Sequence, residues 1–148
     1  MKYKLIEGGD FNRGKYEEKW KTSNFLITIN TNEKRDTMPD DRYNAFIKSI
    51  SHVFTEANSI NFMKDRNGKI ITKEGFDEFS VYPLSPEIGP KTNKLHWHIV
   101  LHTTHKYNLA INRGKLSAFY RKAFGKNVYI NIKATGNSLQ NFISYAEK

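Results

Sequence analysis

Apolar and polar positions alternate with a period of two in some stretches of this chain and with a helical period in others. From Asn24 onward, Phe25, Ile27 and Ile29 interleave with Leu26, Thr28 and Asn30, the pattern of a buried strand with one partly polar face. Pro39-Asp40-Asp41 then opens a helix, because Pro and Asp suit helix starts, and Tyr43, Phe46, Ile47, Ile50, Val53 and Phe54 follow at helical spacing. Asn67-Gly68 predicts a tight turn, followed by a short strand at Ile70-Ile71-Thr72. Phe79–Pro83 and Lys94–Leu101 read as two strands around the loop Gly89–Asn93. Leu116, Phe119, Tyr120, Ala123 and Phe124 mark a second helix that Gly125 stops, and Val128–Ile132 reads as a further strand. Residues 137–148 predict a last helix, with Asn137 or Ser138 as N-cap and Leu139, Phe142, Ile143 and Ala146 as apolar positions.

The order β-α-β-β-α-β-α predicts an α+β domain: an antiparallel sheet with ferredoxin-like (split βαβ, RRM-like) topology and two helices on one face. The other face is left for a site. Residues 1–22 are polar, carry scattered aromatics and have no clean period, so they read as an arm preceding a domain at 23–148. A chain of 148 residues is long enough for one ordinary core.

Charge narrows the partners. Lys and Arg number 24 against 15 Asp and Glu, a net charge of +9 that favours a polyanion. No apolar run reaches the length of a membrane span and no signal peptide is evident, so neither a membrane partner nor secretion is expected. The absence of cysteine excludes disulfide frameworks, thiolate zinc sites and cysteine nucleophiles. A phosphate-binding Gly-x-x-x-x-Gly-Lys-Ser/Thr loop is also missing, which excludes a Walker-type ATPase.

The candidate chemistry lies in the strand Lys94–Leu101. His96, His98, Val100 and His102 fall on one face, and Leu95, Trp97, Ile99 and Leu101 on the other. The apolar set suits the core, which places the histidines on the open face. Side chains two apart on a strand stand about 7 Å apart at the backbone, so two imidazoles can converge on one metal ion. Glu87 precedes the loop, and an antiparallel hairpin would return it beside the histidines; Asp77 and Glu78 are alternative donors. Two imidazoles and a carboxylate leave coordination positions for a phosphate oxygen and water, which suits a catalytic divalent ion, Mn2+ or Mg2+. Tyr145 and Lys148 are three apart on the predicted last helix and share a face. A phenol with a pKa near 10 is only about one part in a thousand ionised at pH 7, so a nucleophilic tyrosine needs a cation or base nearby.

Taken together, the Phe25–Asn30 strand, the His96-Trp97-His98 step with Glu87 upstream and the Tyr145-x-x-Lys148 helix resemble the three ordered motifs of HUH endonucleases. The resemblance is closest to replication initiator (Rep) proteins of circular single-stranded DNA viruses and related plasmids, and runs from about Asn24 to Lys148. It implies metal-dependent nicking and joining of single-stranded DNA at a replication origin. Tyr145 would be the nucleophile, Lys148 its helper, and Glu87, His96 and His98 the metal ligands. A 5′-phosphotyrosine and a free 3′-hydroxyl would result, the latter priming rolling-circle replication. Phe25, Thr28 and Asn30 in the first motif, with Lys91, Lys94 and Arg113, are the expected DNA contacts. The family's proteins commonly continue into a helicase domain, so the chain reads as an excised nuclease domain of a protein with scope to oligomerise. Its place would be the host nucleus for a eukaryotic virus and otherwise the cytoplasm.

Three other functions share part of this pattern. A non-catalytic single-stranded nucleic-acid module of RRM-like fold shares the topology, but its aromatic ribonucleoprotein pattern is absent from both central strands. A phosphoesterase with paired His-x-Thr motifs finds one such pattern, His102-Thr103-Thr104, and no second. A binuclear hydrolase needs more His and Asp ligands than a chain of five histidines supplies in this layout.

Overall fold

The computed structural model describes residues 21–67, 71, 73–83 and 86–135. Its elements are β1 (Lys21–Lys34), α1 (Asp40–Val53), α2 (Glu56–Ser59), β2 (Met63–Asp65), β3 (Phe76–Pro83), β4 (Glu87–Ile88), β5 (Lys94–His105), β6 (Leu109–Ile111), α3 (Arg113–Phe124) and β7 (Tyr129–Thr135). The main sheet runs β3-β5-β1-β7, and β4 extends the β3 edge by pairing with β5. Every pairing in it is antiparallel. Taken in chain order, the four long strands lie 4-1-3-2 across the sheet, an α+β arrangement compatible with a ferredoxin-like fold. The predicted last helix, with Tyr145 and Lys148, lies outside the described residues.

α1 and α3 form where the pattern predicts, for local reasons, whereas the single turn α2 was not expected. Asp40 and Asp41 occupy the first turn of α1, where carboxylates favour the positive end of the helix dipole. The Asn112 side chain accepts a hydrogen bond from the Lys115 N–H and caps α3, which ends at Gly125 with φ 108°, a conformation glycine adopts without strain. Both helices cover one face of the sheet. Phe46, Ile50 and Val53 of α1 and Leu116 and Tyr120 of α3 meet Phe25, Ile27, Ile29, Leu95, Trp97, Ile99 and Leu101 in a single core. Phe46 stacks on Trp97 at 5.3 Å and on Phe124 at 3.8 Å between ring centroids. Removing its ring would cost about 3–5 kcal/mol, the usual loss for a buried aromatic.

The strands differ from the sequence reading mainly in length. β1 begins at Lys21, so Lys21 and Thr22, assigned by pattern to the arm, pair with His105 and Thr104. Ladder hydrogen bonds carry this polar extension, and hydrophobic alternation does not report them. A bulge interrupts the other end of β1 between Asn30 and Lys34, where Asn32 takes φ 56°. The short β2–β6 sheet has no period long enough to have been read. Ile71 is in no regular element, and the rest of the strand expected at Ile70–Thr72 lies outside the described residues. Among the described residues no helix is long and apolar enough to cross a membrane.

Candidate metal centre

The central pair β1 and β5 decides what faces the side away from the helices. Their register puts Thr28 opposite His98, Asn30 opposite His96, Leu26 opposite Val100 and Asn24 opposite His102. The alternation expected in β5 is therefore present. The face is not uniformly open, because Leu26 and Val100 at its middle are 2% and 0% exposed.

Glu87 is brought to the histidines by a tight connection. The Gly89 N–H donates to the Lys94 carbonyl and the Asn93 N–H to the Gly89 carbonyl, while Asn93 turns through the left-handed region at φ 57°. This closes the β4–β5 hairpin with Glu87 opposite His96. A Cβ on Gly89 would stand 3.0 Å from the Thr92 hydroxyl, so the turn has little room for a larger residue.

One carboxylate oxygen then faces both rings. Glu87 Oε2 lies 3.2 Å from His96 Nε2 and 3.4 Å from His98 Nε2, and the two rings stand 5.0 Å apart at 80°. One ligand atom from each residue falls within 4.8 Å of the others, a spacing that fits a divalent ion held by two nitrogens and a carboxylate. Two imidazoles and a carboxylate at this spacing could hold a divalent ion, and Glu87 and His96 are only partly buried.

Thr28 supplies a support that the sequence reading placed elsewhere. Its Oγ1 lies 3.0 Å from His98 Nδ1. In the metal-binding tautomer Nδ1–H donates to this hydroxyl, which leaves the Nε2 lone pair aimed at the centre. Burial is the leading influence on His98 and lowers its pKa from 6.5; the neighbouring Glu87 opposes that shift, and His96 and Lys133 add to it. The neutral, ligating form is thus the favoured one. Thr28, expected as a DNA contact, holds its hydroxyl against the His98 ring.

Other expected residues separate by position. Phe25 is 1% exposed in the core, on the helix side, and presents no surface to DNA. Its place follows from strand alternation, which turns Phe25 inward with Ile27 and Ile29 while Thr28 and Asn30 face the site. Lys91 is exposed in the turn after β4, and Lys94 opens β5 opposite Lys34. Arg113 begins α3 and reaches the Tyr129 hydroxyl on β7. Of the alternative donors, Glu78 is bound to His102 at 3.0 Å, and Asp77 sits in the bulge between Phe76 and Glu78; neither belongs to the converging group. Tyr129 was not singled out by its sequence, because its relation to His96 is a matter of cross-strand register.

Against known proteins, the chain matches no family model and no curated sequence.

Proposed function

We propose that this chain is a metal-dependent HUH endonuclease of the replication-initiator class, which nicks and rejoins single-stranded DNA by tyrosine transesterification. The observation that carries the reading is the convergence of Glu87, His96 and His98 within 4.8 Å on the sheet face away from the helices. A bound Mn2+ or Mg2+ would polarise the scissile phosphate and draw off its developing charge. The remaining work falls to side chains of the chain. Glu87, His96 and His98 would hold the ion, and the Thr28 hydroxyl beside His98 Nδ1 would fix the orientation of that ring. The Tyr145 oxygen attacks phosphorus and loses its proton, and the departing 3′-oxygen gains one. A 5′-phosphotyrosine and a free 3′-hydroxyl are the products. Lys148, three residues on, supplies positive charge beside the phosphate or the leaving oxygen. Because the ester bond energy is retained in the phosphotyrosine, reversal of the step joins ends without ATP. The free 3′-hydroxyl would prime rolling-circle replication.

The test is covalent capture. The protein is incubated with Mn2+ and a panel of single-stranded oligonucleotides, including hairpin-borne sequences, and resolved on denaturing gels. A shifted protein–DNA band that vanishes with chelator and with Tyr145→Phe is the expected result. Binding across the panel with no adduct in any lane would replace this reading with the non-catalytic, RRM-like module.

A further inference from the structure

The register places an exposed aromatic on the same cross-strand row as the metal centre. Glu87 pairs with His96, His96 with Asn30, and Asn30 with Tyr129, so β4, β5, β1 and β7 each contribute one side chain to a single line. Neighbouring strands are about 4.8 Å apart, which sets Tyr129 roughly 10 Å from His96 at the backbone. Tyr129 is 45% exposed, although large aromatic surface on a strand is usually packed. Its ring is also held. The Arg113 guanidinium donates to its hydroxyl at 2.7 Å and lies 5.4 Å from its centroid. Further along β7, Asn131 and Lys133 face the same side, in register with Thr28 and Leu26, and both are exposed. The strip therefore presents an aromatic face, an amide and an ammonium in succession, beside an arginine and with no carboxylate among them.

We propose that Tyr129, Asn131 and Lys133 of β7 form a track for single-stranded DNA, on which a base next to the scissile phosphate stacks against Tyr129. The proposal rests on the nuclease reading for the identity of the strand, and it adds the residues that would position it. Stacking on an aromatic is tolerant of sequence, and the exposed face of a ring pre-set by Arg113 loses little freedom on contact. Charge complementarity selects the occupant: the chain carries +9, and the track begins beside Arg113 and ends at Lys133. Lys133 would meet a backbone phosphate, and Asn131 would offer both donor and acceptor to a base edge.

The experiment is fluorescence anisotropy with labelled DNA oligonucleotides in chelator, so that binding is read apart from cleavage, together with the Mn2+ adduct assay on the same proteins. Tyr129→Ala is expected to weaken binding roughly 5- to 150-fold, the range for loss of one stacked base. Tyr129→Thr, which keeps strand propensity, should weaken it similarly, while Tyr129→Phe should stay within about threefold of the parent because the ring remains. The salt dependence gives an independent readout. Lys133→Gln should flatten the log–log slope by about 0.7, and Tyr129→Ala should leave it unchanged. Lys48→Gln, at an exposed position on α1, is the control. Parent-like affinity in both Tyr129→Ala and Tyr129→Thr would overturn the track while leaving the nuclease reading to the adduct assay. Tighter binding of RNA than DNA of the same sequence, or no binding of any oligonucleotide by the parent, would overturn it as well. Adducts in the parent that persist undiminished in the Tyr129 variants would separate failure of the track from failure of the nuclease reading.

Discussion

Two histidine–carboxylate clusters share one face of β5 and differ in where their nitrogens point. At one end His96 and His98 turn Nε2 toward a single oxygen of Glu87, at 3.2 and 3.4 Å. At the other, His102 spends one ring nitrogen on Asn24 Oδ1 at 2.7 Å and the other on Glu78 Oε2 at 3.0 Å. Both pair imidazole with a glutamate. In the first cluster two imidazole nitrogens meet at one carboxylate oxygen, whereas in the second a single ring is held between Asn24 and Glu78, with Asn24 buried beneath it at 1% exposure. A strand bearing three histidines on one face thus builds one centre able to take a metal and one polar anchor, and convergence, not residue count, decides which is which.

The sharpest way to break this distinction is to delete each cluster in turn. Replacing both His96 and His98 with Ala should lower Mn2+ affinity by more than about 100-fold in titration calorimetry, since two of three ligands are lost. His102→Ala should leave that affinity within about twofold. If the two variants lost metal equally, the contrast between the clusters would collapse.

Asn24→Ala tests the anchor from the other side. It would leave a ring nitrogen of His102 without its buried partner and cost about 1–3 kcal/mol in urea unfolding, with Mn2+ affinity unchanged. A variant as stable as the parent would mean that water replaces the amide at no cost.

Thr28→Val keeps the shape of the side chain and removes the hydroxyl that orients His98. Mn2+ affinity should fall about tenfold, the lower end of the usual effect of a partner behind a ligating histidine. Restoration by Thr28→Ser would identify the hydroxyl as the active part.

The smallest effect concerns pH. Burial lowers the His98 pKa from 6.5, so the folded chain binds fewer protons than the unfolded chain in the window between the lowered value and 6.5. In chelator, stability should therefore fall as pH is lowered from about 7.5 to about 5.5, and fall less in His98→Gln. Equal losses in parent and variant would remove burial of His98 as the cause.

Much of this was visible along the chain. Alternation in Lys94–Leu101 separated Trp97 and Ile99, now in the core, from His96 and His98 at the centre. Pro39-Asp40-Asp41 marked the start of α1 and Gly125 the end of α3, whereas the start of α3 at Arg113, capped by Asn112, was not read. Glu87 was legible as a ligand candidate through the Gly89–Asn93 turn, because a hairpin returns a residue to the strand that follows. Assigning Phe25 to DNA contact ran against the same alternation, which turns it into the core, and the β2–β6 pairing is too short to leave a period.

Period and turn chemistry are local, so the chain alone determines which side chains of a strand lie together and where a helix stops. Partner strands are chosen by packing over the whole sheet. Only the antiparallel pairing of β1 with β5 sets Thr28 behind His98 and Asn24 behind His102, across separations of 70 and 78 residues. Only the pairing of β1 with β7 carries the row on to Tyr129. Shifting either register by one residue would turn each of these side chains to the opposite face, which is why burial of the apolar face, settled by the folded core, also settles the chemistry of the other.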